Sequence, residues 1–121
     1  MITGHVVQRH ALLPVIFRLP NQRDIAIEFV VDTCFSGALT LPLAAVQAMQ
    51  LTYEEDILAN VATDEEVQTP VYAATILWDG IERDVRVLAI GKRPLLGTAL
   101  LDSHELLVQF ADNGLVTVDT L

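Results

Sequence analysis

The stretch Phe29-Val30-Val31-Asp32-Thr33-Cys34-Phe35-Ser36-Gly37 runs an apolar strand straight into an Asp-Thr pair and a turn of small residues. A carboxylate at the end of a buried strand is costly unless it has a partner or a chemical task. Upstream, Ile25, Ile27, Phe29 and Val31 alternate with Ala26, Glu28 and Val30. That is the period of a strand. Residues 12–19 form an earlier apolar strand, and Pro14 suits a strand start or edge. The polar turn Pro20-Asn21-Gln22-Arg23-Asp24 pairs the two as a hairpin. Residues 5–9 are read as a first strand.

Downstream, Ala38-Leu39-Thr40-Leu41-Pro42 is a short strand stopped by proline. Residues 43–51 read as a helix: proline sits at the first turn, and Leu43, Val46 and Met49 mark one apolar face. Residues 57–62 and 67–78 are strand-like, separated by the acidic tip Thr63-Asp64-Glu65-Glu66. Asp79-Gly80 is a two-residue hairpin turn, and Val85, Val87 and Ala89 carry the next strand. Leu95-Leu96-Gly97 leads into a short helix over 98–104. Residues 106–110 and 115–118 close a last hairpin across Asp112-Asn113-Gly114. The sum is a mostly-β chain with one or two short helices, of small barrel-like type.

Composition limits the functions available. The length of 121 residues fits one domain, 1–121, and 52% apolar content supplies a core. A net charge of -9, with seven scattered basic residues clustered only at Lys92-Arg93, disfavours nucleic acid as a partner. No apolar run suits a membrane span and no signal-like start is present, so the chain is read as cytoplasmic, with no membrane partner. Cys34 is the one cysteine, which excludes an internal disulfide and a cysteine metal cluster. His5, His10 and His104 lack ligand-like spacing, so no metal is expected.

The order of elements is more telling than any single motif. Asp119-Thr120 repeats the dipeptide at the end of the sequence with no turn and helix behind it, so Asp-Thr alone carries little weight. The ordered set Val30 to Gly37, Leu39-Thr40-Leu41-Pro42 and Pro94-Leu95-Leu96-Gly97-Thr98-Ala99-Leu100-Leu101 resembles the retropepsin-like (single-lobed) aspartic peptidases over nearly the whole chain. The likeness is greatest to their short bacterial members. It implies a small closed acid-protease-like barrel and hydrolysis of a peptide or protein substrate, with no cofactor.

That chemistry needs two facing carboxylates, one ionised and one protonated, which share a proton. A chain with one such motif supplies half of them. The expectation is a C2 homodimer with Asp32 of each subunit on the axis. The resemblance implies that Thr33 bonds across the dimer and that Leu95, Leu96 and Gly97 brace the catalytic loop. The hairpin around Ala62, Thr63, Asp64 and Glu65 would be the flap over substrate. Three positions depart from the family pattern. Cys34 replaces a glycine, and either crowds the substrate, strains the loop, or is a small buried residue that the loop accepts. Phe35 stands where related motifs often carry a serine that bonds the carboxylate. The flap tip lacks glycine. A reactive-cysteine enzyme would need a base beside Cys34, and no histidine is placed there by the sequence. The competing functions are a non-catalytic peptide-binding or dimerisation module on the same fold, and an unrelated small β-barrel.

Overall fold

A computed structural model gives the fold and describes residues 1–21, 23–60 and 64–121. Ten strands and two short helices follow in the order β1 (Ile2–Val7), β2 (His10–Arg18), β3 (Asp24–Val31), β4 (Leu39–Leu41), α1 (Leu43–Ala48), β5 (Thr52–Asn60), β6 (Glu66–Trp78), β7 (Ile81–Ala89), β8 (Leu95–Leu96), α2 (Thr98–Leu101), β9 (His104–Val108) and β10 (Leu115–Thr120). They form one sheet in the order β5-β6-β7-β4-β8-β3-β2-β1-β10-β9. An added β2–β6 pairing, Ile16 to Arg18 against Leu77 to Thr75, brings the sheet back on itself. Six strands, β6, β7, β4, β8, β3 and β2, thereby make a ring, and β5 and β9 are left as the outer edges.

Alternation along the strands fills the ring. Leu13, Val15 and Phe17 of β2 point inward beside Phe29 of β3, and the Phe17 and Phe29 rings stack with centroids 5.9 Å apart. Val85, Val87 and Ala89 of β7, Leu96 of β8 and Leu100 of α2 complete the packing. Burying such side chains contributes about 1.5–3 kcal/mol each before chain entropy is set against it.

Several element ends differ from the sequence expectation, each through a left-handed residue. β1 ends at Val7 because Gln8 (φ 48°) and Arg9 (φ 67°) make a tight turn into β2, without the usual Asn or Gly. α1 is shorter than 43–51: Gln50 turns left-handed (φ 55°) and the Leu51 N–H closes back on the Val46 carbonyl at 3.3 Å. β5 therefore begins at Thr52, well before the expected 57. Leu43 is exposed, so the buried face of α1 rests on Val46 and Met49. α2 stops at Leu101, and Ser103 (φ 63°) turns the chain into β9. The Asp79-Gly80 turn forms as expected, with both residues at positive φ. No helix among the described residues is long and apolar enough to cross a membrane.

Candidate active site

The two-residue strand β8 organises the site. It pairs in parallel with the end of β3 (Val30 with Leu95, Val31 with Leu96) and antiparallel with β4 (Leu39 with Leu96, Thr40 with Leu95). The chain from β3 to β4 therefore passes around β8, and the loop 32–38 is the bend. The Val30 N–H donates to the Pro94 carbonyl and the Asp32 N–H to the Leu96 carbonyl, each at 2.9 Å. These bonds fix the backbone that carries the carboxylate.

Within the loop, the Cys34 N–H donates to Asp32 Oδ1 at 2.9 Å and the Phe35 N–H to the Asp32 carbonyl at 3.2 Å. This is an Asx-type turn, which Asp favours because its short side chain reaches the backbone two residues on. The loop then caps α2. The Thr98 N–H and hydroxyl both donate to the Phe35 carbonyl (2.8 and 3.3 Å), the Ala99 N–H to the Gly37 carbonyl (3.1 Å), and the Gly97 N–H to the Ala38 carbonyl (2.8 Å). Donors that a helix start leaves unpaired are thus satisfied by the same loop that holds the carboxylate.

Gly97 is required by close approach. A Cβ there would be pressed against the Gly37 carbonyl oxygen and would lie 2.5 Å from both the carbonyl oxygen and Cδ2 of Phe35. Its φ of -106° and ψ of -178° are open to any residue, so contact, and not backbone angle, dictates glycine. At Gly37 a Cβ would meet the Phe35 ring, with Cζ at 2.5 Å and Cε1 at 2.7 Å. Phe35 therefore fills the space that two glycines leave free.

The site residues expected from sequence fall as follows. Asp32 is half-buried, whereas Thr33 and Cys34 are exposed on the open side of the loop. Leu96 and Gly97 are buried beneath it. Ala62 and Thr63 of the expected flap lie outside the described residues. Asp64 takes a left-handed conformation (φ 59°) beside exposed Glu65, so an aspartate occupies at this tip the backbone region that glycine favours. The hairpin exists as expected: from Asp56 opposite Pro70 to Asn60 opposite Glu66, β5 and β6 run on as a two-stranded ribbon with no β7 beside them. At its base the Tyr53 hydroxyl donates to Asp56 at 2.9 Å, which raises the phenol above its ordinary value of 10.0.

Two expectations for Cys34 are corrected. It is exposed, so it is not the small buried residue of one alternative. Its φ is not positive, so the loop does not need glycine for its backbone path and is not strained on that account. Crowding of the open side is the alternative that the geometry leaves. Among the described residues no group of His, Cys, Asp and Glu is arranged to hold a metal.

Sequence reasoning missed Thr40. It is buried, its hydroxyl accepts from the Leu95 N–H at 3.2 Å, and it lies 3.4 Å from the Arg93 carbonyl, to which it donates. A lone threonine between Leu39 and Leu41 was the available signal. Asp119 lies in β10, where its side chain accepts from the Thr120 N–H, with no loop around it. The second Asp-Thr pair has none of the architecture of the first.

No protein-family model and no curated protein matches the chain. Solved structures do. EIAV protease complexed with the inhibitor HBY-793 superposes with a TM-score of 0.56 over 81% of this chain and 90% of that one, at 18% identity. A retropepsin-like aspartic protease from Rickettsia conorii superposes with a TM-score of 0.51 over 98% and 94%, at 14% identity. The fold is retropepsin-like. An unrelated β-barrel is thereby set aside. At these identities the likeness is one of fold, and chemistry has to be argued from this chain's own residues.

Proposed function

We propose that the protein is a homodimeric aspartic endopeptidase in which Asp32 of two subunits forms the catalytic pair. The observation that carries this reading is the braced loop. A half-buried carboxylate is held by the Cys34 N–H on a backbone tied to Leu96 and α2, while Thr33 and Cys34 stand exposed on its open side. A structural Asx turn does not need such support from a strand wrapped on both sides.

In the assembled pair one Asp32 is ionised and takes a proton from water as the hydroxyl attacks the peptide carbonyl. The other, protonated, donates to the carbonyl oxygen as it gains charge. Collapse of the tetrahedral species breaks the C–N bond, and the amine leaves with a proton returned by the pair. Thr33 would tie one loop to its partner, Leu96 and Gly97 hold each loop from below, and the β5–β6 ribbon with Asp64 and Glu65 covers the substrate.

The test is cleavage of an unfolded protein from acid to neutral pH. Hydrolysis should be blocked by a pepstatin-like inhibitor and lost by at least about a thousandfold in Asp32→Asn, which keeps the shape and removes the acid–base pair. A folded dimer that cleaves nothing over that range refutes the reading.

The exposed Cys34 side chain favours a second reading, a peptide-binding or dimerisation module without catalysis. In that case Asp32→Asn leaves peptide binding intact, and Cys34→Gly creates cleavage that the wild type lacks.

A further inference from the structure

The one basic cluster in this acidic chain, Lys92-Arg93, sits next to Pro94, whose carbonyl accepts from Val30 on the strand that leads into Asp32. The β2–β3 ladder ends at Leu12 opposite Val30, so His10, at the start of β2, and Asp32, just past β3, lie two residues beyond its last pair. The Arg93 guanidinium donates to His10 Nε2 at 3.1 Å, since arginine has no acceptor to offer. The next residue, Pro94, takes the Val30 N–H, so the 92–93 loop is anchored at the strand that leads into Asp32. Lys92 and Arg93 are exposed, and among the described residues neither pairs with a carboxylate. Arg18 and Arg86, by contrast, are spent on Asp24, Glu82, Glu54 and Glu55.

We propose that Arg93, aided by Lys92, is a specificity determinant that selects peptides carrying an anionic side chain close to the scissile bond. This rests on the peptidase reading of Asp32. A protein with a net charge of -9 repels acidic peptides at long range, so unpaired cations anchored at the strand that carries Asp32 are the feature that reverses this locally. A guanidinium with donors left over after His10 matches the planar fork of a carboxylate, or the oxygens of a phosphate. In a two-fold dimer the same group stands on both sides of the scissile bond, so the preference falls on residues flanking it in either direction.

The experiment compares three peptides that differ at one position near the cleavage site: glutamate, glutamine and phosphoserine. The kcat/KM ratio of glutamate to glutamine peptide should exceed one in the wild type. It should fall by about tenfold in Arg93→Glu, and stay unchanged in Arg23→Glu, which alters the same charge at the far turn of the hairpin. The phosphoserine peptide shows whether carboxylate or phosphate is the better ligand. The same ratio is read as binding, by fluorescence polarisation, on the Asp32→Asn variant. If the wild type hydrolyses no peptide, the peptidase reading fails, while this binding ratio still decides the selectivity. Equal kcat/KM or equal binding of glutamate and glutamine peptides overturns the proposal. So does an Arg93→Glu dimer that keeps the preference, or one that dissociates with its preference unaltered, which would make Arg93 an interface residue.

Discussion

Gly37 and Gly97 both face Phe35, but for different reasons, and mutation separates them. At Gly97 an added methyl meets backbone oxygens that cannot move without breaking the loop, so Gly97→Ala should cost about 2–3 kcal/mol in denaturant unfolding. At Gly37 the atoms met are the far end of the Phe35 ring. Phe35→Ala should therefore relieve Gly37→Ala, the double variant being more stable than the sum of singles by about 1 kcal/mol. Strict additivity would show that the ring does not fill that space. Cys34→Gly should cost only about 0.5–1 kcal/mol, through the entropy of the unfolded chain, since the native backbone at 34 is open to any residue. If crowding by the thiol limits turnover, the same change raises kcat/KM toward the peptide substrate; an unchanged value rules crowding out. Asp32, Leu96 and Gly97 were legible because strand periodicity, turn chemistry and order converge on them. The role of Phe35 was not, because its contacts with Gly37, Gly97 and Thr98 join parts of the chain that sequence spacing does not relate.

Among the elements, β8 and the β5–β6 ribbon divide the labour. β8 has two residues and holds the site because it is hydrogen-bonded on both edges, and Thr40 completes that bonding. Thr40→Val keeps the shape and strands the Leu95 N–H, an expected loss of about 1–2 kcal/mol by thermal or denaturant unfolding. The ribbon is the opposite case. Residues 56–60 pair on one side only and are largely exposed, so their amides should exchange with solvent faster than those of Val87 and Leu88 in β7, which pair on both edges. Equal protection would argue against a ribbon able to open and close over substrate. The strands themselves were legible from alternation and from Asp79-Gly80. The ends of β1, α1 and α2 were not, since Gln8, Arg9, Gln50 and Ser103 adopt left-handed angles that their residue types do not announce.

For the whole molecule, the central statement is that one chain carries half of an active site. Nothing in the composition announces this; on the proposed reading it follows from one braced Asp-Thr loop in a chemistry that needs two carboxylates. On the same reading, the exposed side of the 32–37 loop is where a second copy would meet it. The most direct test is subunit mixing. Wild-type protein is exchanged with increasing amounts of Asp32→Asn protein at fixed total concentration, and peptide hydrolysis is measured once the subunits have equilibrated. If each site takes Asp32 from both chains, mixed dimers are inactive and activity falls as the square of the wild-type fraction. Activity that falls in simple proportion to that fraction would show that one chain suffices, and would contradict the account.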